Sequence, residues 1–164
     1  MHRIVRTVLS IAPRTALVLA LVGATTASDD TLQVSQWGLG YPTINDAIDD
    51  ALDGDTIAVE IGIYNEDVDF DGKNLTVISV SGPEVTTILG NSMAVRIDSG
   101  ENPDAVLDGF TISSYGSYGL YVNAASPTVQ YCTVADVSGY ATYVSGGGSV
   151  TFLENVYEDN SYTY

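Results

Sequence analysis

Two hydrophobic periods divide the chain. Between Thr43 and Leu52 the apolar residues recur at spacings of three and four, which predicts one buried stripe on a helix. Thr43 with Asp46 is typical of a helix N-cap, and Asp53-Gly54-Asp55 predicts the end of the helix. From Thr56 onward, apolar and polar residues alternate in short runs separated by Gly, Asn, Asp and Ser, which predicts short β-strands. The helical stripe consists of Ile44, Ala47, Ile48, Ala51 and Leu52.

The second half of the chain carries a repeat. Residues 105–126, 127–148 and 149–164 align without gaps at a period of 22. Short strands at such a period suit the turns of a parallel β-solenoid, in which stacked coils lie about 4.8 Å apart. Ile112, Val134 and Val156 coincide in the alignment, and we predict that they stack inside the solenoid, one per coil.

The region from Tyr41 to Asn91 contains the spaced elements PTIxxAI, GDTI and GxY. These elements resemble the N-terminal cap and first coils of the right-handed parallel β-helix proteins, the pectin-lyase-like group. The segments DAVLDGFTIS and ASPTVQYCTV resemble secreted bacterial members of that group. The resemblance implies an all-β, right-handed parallel β-helix with coils of about 22 residues and a short α-helix across its N-terminal end.

The chain is predicted to have two parts. Residues 1–27 combine three arginines, an apolar stretch and small residues, which predicts a signal peptide and a secreted, extracellular or cell-surface protein. Residues 28–164 are predicted to form the β-helix, with an N-terminal cap over 31–55 and coils over 56–164. The sequence stops inside a coil. Three interpretations stay open: a fragment or short chain, a lid made by Tyr162 and Tyr164, or oligomerisation through an uncapped C-terminal coil.

The charge of the predicted mature chain narrows the choice of partners. All 21 acidic residues lie at or after Asp29, whereas the only cations there are Lys73 and Arg96, so the net charge is 2 − 21 = −19. Such a surface repels nucleic acid, anionic lipid and acidic polysaccharides. No apolar run reaches the roughly 18 residues that span a bilayer, so no stable membrane insertion is expected.

The candidate catalytic groups are few. The stretch from Met93 to Ile97 weakly resembles a pectinesterase motif, but the other motifs of that family are missing, and Arg96 is expected to pair with Asp98. The only histidine is His2, so the predicted mature chain cannot form a Ser-His-Asp or Cys-His arrangement. The lone Cys132 is expected to be buried. The sequence therefore predicts no catalytic residue. The alternative is a polysaccharide-active enzyme of the pectate-lyase or glycoside-hydrolase type, complete or as a fragment.

A weak calcium site is the one metal-binding hypothesis. Asp67, Asp69 and Asp71 have the spacing of the first half of a calcium loop, but Ile78 stands where a bidentate Glu belongs. The simpler interpretation is a strand with Val68 and Phe70 facing inward and the three carboxylates facing water. No other cofactor is predicted.

The tyrosines supply the candidate binding site. The repeat superimposes Tyr118 on Tyr140 and Tyr121 on Tyr143. The alternation directs Tyr121 and Tyr143 outward and predicts that their neighbours face the core: Leu120, Val122, Thr142 and Val144. We predict that these four rings form a platform for a neutral polysaccharide, because tyrosine is common at recognition surfaces. The open alternative is that the rings only stack on one another. The functional prediction is thus a glycan-binding or structural β-helix protein without a catalytic site.

Overall fold

The structure is a computed structural model and describes residues 29–162. The predicted signal peptide over 1–27 lies outside the described residues. None of the helices within the described part is long and apolar enough to cross a membrane.

Three parallel sheets form the body of the molecule. Their strand orders are β1-β2-β5-β8-β11-β14, β13-β10-β7-β4 and β15-β12-β9-β6-β3. From β2 to β13, each turn of the solenoid therefore contributes one strand to each of the three sheets. This arrangement confirms the predicted parallel β-solenoid with one short helix. The elements in chain order are β1 Thr31–Val34, α1 Ile44–Asp50, β2 Thr56–Val59, β3 Gly62–Tyr64, β4 Val68–Asp69, β5 Thr76–Ser79, β6 Thr86–Gly90, β7 Met93–Ile97, β8 Val106–Asp108, β9 Thr111–Ser114, β10 Tyr118–Asn123, β11 Thr128–Gln130, β12 Thr133–Val137, β13 Tyr140–Ser145, β14 Thr151–Leu153 and β15 Val156–Glu158.

The predicted period holds in the later coils. Val106 pairs with Thr128, and Tyr118 pairs with Tyr140, so both pairs join positions that the repeat superimposes. The earlier coils vary more in length. The coil from Thr56 to Thr76 is shorter than the predicted period, and the coil from Thr76 to Val106 is longer. The strands keep their register because the length differences lie in the connecting segments, which run over the surface.

One predicted core position is wrong. Val134 lies beside Ile112 as predicted, but Val156 pairs with Thr133, and Tyr157 takes the place beside Val134. Val156 is therefore 46% exposed. The cause is one extra residue around Gly146–Gly148: five residues separate Ser145 from Thr151, whereas four separate Asn123 from Thr128.

Helix α1 closes the N-terminal end of the core. The Thr43 hydroxyl accepts a hydrogen bond from the Asp46 N–H at 3.1 Å, which confirms the predicted N-cap. Ile44, Ala47 and Ile48 are fully buried, since the helix packs against β1, β2 and β4. Leu52 was expected in the same stripe but is 66% exposed, because the helix ends two residues earlier.

Charged side chains from the coils hold both ends of α1. The Glu66 carboxylate accepts the N–H groups of Ile44 and Asn45 at 2.9 and 3.0 Å. The Lys73 ammonium donates to the carbonyls of Ile48 and Asp49 at 2.6 and 3.0 Å. Each charge has the sign that the helix dipole favours at its end. The helix is thereby fixed over the core, although it has only seven residues.

Candidate functional site

The candidate site lies on the outer face of the four-stranded sheet. Along each strand, side chains alternate between the core and the surface. The inward row is Val68, Val95, Leu120 and Thr142, all buried and in register.

Two outward rows flank this buried row. The first runs in register from Asp69 through Arg96 and Tyr121 to Tyr143. The second runs from Met93 through Tyr118 and Tyr140, and Tyr140 is bridged to Tyr162 in the next coil. The sheet therefore presents an ion pair in its N-terminal coils and tyrosines in its C-terminal coils. We call the second region the tyrosine surface: Tyr118, Tyr121, Tyr140, Tyr143 and Tyr162.

The rings of the tyrosine surface contact one another. Tyr121 and Tyr143 are nearly parallel, with ring centroids 5.7 Å apart and planes 7° from each other. Tyr118 and Tyr140 stack at 6.2 Å, and Tyr140 and Tyr162 stack at 5.1 Å. Tilted contacts at 5.3 Å (Tyr118 with Tyr121) and 5.1 Å (Tyr118 with Tyr143) join the two rows. The five rings form one connected cluster within the range of favourable aromatic pairs.

This stacking changes the kind of platform that the tyrosines offer. Because successive rings stack, each ring covers part of its neighbour's face. The self-stacking that the sequence left open is therefore present. A hydroxyl group both donates and accepts hydrogen bonds, so the exposed row can still contact a polar ligand. Tyr140 and Tyr143 are each 39% exposed.

The inward partners of the tyrosines follow the alternation with one exception. Leu120 and Val122 are fully buried, as predicted, and Thr142 is buried below the rings. Val144 was expected inside but is 40% exposed, because β13 lies at the edge of its sheet.

A small cleft of about 220 Å³ lies on the N-terminal side of the tyrosine surface. It is lined by Asp67, Val68, Asp69, Ser92, Met93 and Arg96. The Arg96 guanidinium binds the Asp69 carboxylate, and its Nε lies 4.0 Å from Asp98. The hydrogen bond with Asp69 raises the pKa of Arg96. Asp69, rather than the expected Asp98, is thus the main partner. Sequence spacing gave no signal of it, since the two residues meet only through the pairing of β4 with β7.

The acidic segment alternates as predicted from Asp67 to Phe70, although β4 covers only Val68–Asp69 and Asp71 lies in a turn with a φ of 51°. Val68 and Phe70 are fully buried. One Asp67 carboxylate oxygen accepts the N–H groups of Asn91 and Ser92, and Asp69 binds Arg96 and the Asp71 N–H. Within residues 29–162 no group of three or more His, Cys, Asp or Glu side chains is placed to hold a metal ion. The weak calcium site at Asp67, Asp69 and Asp71 stays a prediction to which this arrangement lends no support.

Cys132 does not offer a nucleophile. Its side chain is buried, and burial raises the pKa of the thiol to about 11. The thiolate is the reactive form of cysteine, so a thiol with this pKa stays protonated and inert near neutral pH.

The chain is similar to one solved enzyme structure in particular. That structure is an aspartate-to-alanine mutant of a pectin methylesterase, crystallised in complex with a hexasaccharide; the TM-score is 0.56 and the sequence identity is 16%. The match covers 74% of this chain and 49% of that enzyme, so the chain spans about half the enzyme's length. No protein-family model and no curated protein matches the chain. The likeness concerns the fold, and it identifies this chain as a right-handed parallel β-helix.

Proposed function

We propose that this chain is a secreted or cell-surface carbohydrate-binding β-helix protein, whose tyrosine surface contacts a neutral polysaccharide. The observation that carries the proposal is the connected cluster of five outward-facing rings, with neighbouring centroids between 5.1 and 6.3 Å apart. Rings ordered by their neighbours lose little conformational entropy when a ligand binds, and tyrosine combines apolar area with a hydroxyl group.

The charge of the chain favours a neutral ligand. Between residues 29 and 162 there are 21 acidic side chains and two cations. Lys73 donates to the carbonyls at the end of α1, and Arg96 binds Asp69. An acidic polysaccharide would meet a field of its own sign, with both cations already engaged by the protein.

The test is calorimetry with the hexasaccharides of cellulose, xylan and mannan, and with hexagalacturonate as the acidic control. We expect binding of at least one neutral hexasaccharide and none of the acidic one. The Tyr121→Ala, Tyr143→Ala double variant should bind at least about tenfold more weakly. The matched control is Tyr115→Ala, which removes an exposed tyrosine outside the cluster and should leave the Kd unchanged. Equal Kd values for the protein and the double variant would mean that the cluster is only structural.

A second candidate function, polysaccharide hydrolysis or de-esterification, is favoured by the cleft at Asp67, Asp69 and Arg96 and by the fold of the pectin methylesterase. Against it, Asp67 caps two backbone N–H groups and Asp69 neutralises Arg96, so both carboxylates already serve the fold. We expect no release of methanol or unsaturated products from pectin. Product release that Arg96→Ala abolishes would make this chain an enzyme.

We further propose that copies associate through the last described coil. β13, β14 and β15 each lie at the edge of a sheet, and Val144, Phe152, Leu153 and Val156 are exposed there. Edge strands with apolar side chains bind other chains readily. Analytical ultracentrifugation should detect a dimer that Leu153→Asp dissociates. A protein that stays monomeric at high concentration would contradict this proposal without affecting the tyrosine surface.

A further inference from the structure

The sequence contains one tryptophan, and the structure places it on the surface. Trp37 is 85% exposed and Leu39 is 96% exposed, both in the segment 35–40, which we call the Trp37 loop. The loop lies outside the helical stripe and outside the repeats, so the sequence pattern predicts no role for it. Side chains of this size and exposure contribute nothing to the core, and exposed apolar groups of this kind commonly mark contact sites.

Hydrogen bonds anchor the ends of the Trp37 loop to the solenoid. Ser35 and Tyr41 close its base through the bonds Ser35 N–H to Tyr41 O and Tyr41 N–H to Gln33 O, both 2.9 Å. The Gln36 side chain donates to the Ile63 carbonyl at 2.7 Å, which fixes the loop to the next coil. Gly40 has a φ of 131°, and a β-carbon there would collide with the Gln33 carbonyl oxygen. The loop that carries the exposed ring is therefore anchored at its base and at Gln36.

The indole ring differs from the tyrosine rings in one respect that matters for binding. No described aromatic ring stacks on Trp37, whereas the rings of the tyrosine surface cover one another. An open aromatic face offers the flat apolar contact that suits the C–H face of a sugar ring. Trp37 thus offers the open aromatic platform that the sequence predicts for the tyrosines.

A cleft of about 360 Å³ lies beside the ring, lined by Gln33, Ser35, Trp37, Leu39, Glu60 and Ile61. Within residues 29–162 the Gln33 amide and the Glu60 carboxylate make no side-chain hydrogen bond. They can thus donate to and accept from a ligand's hydroxyl groups. An apolar wall with a few polar groups is the usual composition of a small-ligand site.

The charge around the cleft selects the class of ligand. Glu60 is the charged residue in its lining, and both cations of the described chain are engaged elsewhere, by α1 and by Asp69. An acidic sugar or an anionic lipid headgroup would be repelled. A neutral sugar needs no cation and can hydrogen-bond to both an amide and a carboxylate.

We propose that the Trp37 loop and its cleft form a second carbohydrate site, which binds one unit of a neutral sugar chain with its ring against the indole. The site goes beyond the tyrosine surface and rests on the proposed function only for the class of ligand. The supporting juxtaposition is an open indole face, on a loop anchored at its base, beside the uncommitted side chains of Gln33 and Glu60.

Fluorescence provides a test that is specific to this site, because Trp37 is the only tryptophan. We would titrate the whole protein with the neutral hexasaccharides, with hexagalacturonate and with phosphatidylcholine vesicles, while exciting tryptophan selectively. We expect a saturable change of Trp37 emission with at least one neutral hexasaccharide and none with the other two probes. The Tyr121→Ala, Tyr143→Ala variant should retain this change, which separates the two sites.

Calorimetry on loop variants completes the test. At this site Trp37→Ala should raise the Kd about tenfold or more and Glu60→Gln severalfold, whereas Val80→Ser, which replaces an exposed side chain outside the cleft, should leave it unchanged. Circular dichroism checks that the variants are folded. Trp37 emission that stays unchanged with every neutral hexasaccharide, or an unchanged Kd for Trp37→Ala, overturns the proposal. If binding still depends on Tyr121 and Tyr143, the proposed function is unaffected by that result. An emission change with vesicles that Leu39→Ser removes would show a lipid-contact loop instead and also overturns it.

Discussion

The contact between Glu66 and helix α1 allows a quantitative prediction about the cap. Replacing Glu66 with Ala removes two charge-assisted hydrogen bonds, to the N–H groups of Ile44 and Asn45. Such bonds contribute about 1.5–3 kcal/mol each when fully buried. Glu66 is half-buried, so water can replace part of the loss, and we expect Glu66→Ala to lower the free energy of unfolding by about 2 kcal/mol. Glu66→Gln keeps one acceptor oxygen and should lose about half as much.

The assay is urea unfolding followed by circular dichroism, with hydrogen exchange of the α1 amides as a local readout. In a solenoid each coil contacts only its neighbours, so loss of the cap should open the N-terminal coils first. Glu84→Ala is the matched control, since Glu84 is exposed and makes no side-chain hydrogen bond in the described part of the chain. If Glu66→Ala and Glu84→Ala agree within about 0.5 kcal/mol, the cap is not held by this carboxylate and the reasoning fails.

Three further predictions concern the core and the charge. Ile112→Ala should lower the free energy of unfolding by about 2–5 kcal/mol and Val156→Ala by less than about 1 kcal/mol, because only Ile112 is buried; equal losses in denaturant titrations would mean that the register of the last coil is wrong. Burial raises the pKa of the Cys132 thiol to about 11, so alkylation of the folded protein should be slow at neutral pH and quicken only as the pH approaches that value; rapid alkylation without urea would contradict this. The net charge of −19 on residues 28–164 should make the unfolding temperature rise with sodium chloride, because salt shortens the range of the self-repulsion to about 10 Å at 0.1 M; a temperature that falls with salt would count against it.

The sequence predicted those parts of the fold that follow from local periods. The spacing from Ile44 to Ile48 identified the helix, and Thr43 identified its N-cap, because both depend on contacts within one or two turns. The repeat identified the later coils, since equivalent positions in stacked coils meet similar neighbours.

The glycine-rich turn shows where a period stops being informative. The gapless alignment extended past Gly146, but the structure accommodates one more residue there, with Gly146 and Gly147 at positive φ values of 65° and 79°. Glycine takes such conformations at little cost, so the turn absorbs the residue while the strands on both sides keep their pairing. A shift of one residue exchanges the inward and outward faces, which is why Val156 moved out and Tyr157 moved in.

The candidate sites depend on register over distances that no local pattern encodes. The coil that leads from Asp69 to Arg96 is longer than the regular period, so a fixed period would have paired Arg96 with another residue. The tyrosines were found because their two coils share the regular period, yet the period specified only which rings are neighbours and not how their planes lie. The structure shows that the rings stack, because their centroids lie 5.7 and 6.2 Å apart. Two rings that lie side by side in one plane cannot approach each other so closely. Trp37 lies in a segment without repeat or period, and only the structure shows the bonds that tie its loop to Tyr41 and Ile63. In this solenoid the period predicts the strand residues of the tyrosine surface, whereas the placement of Trp37 and of the Asp69–Arg96 pair depends on the segments that connect the strands.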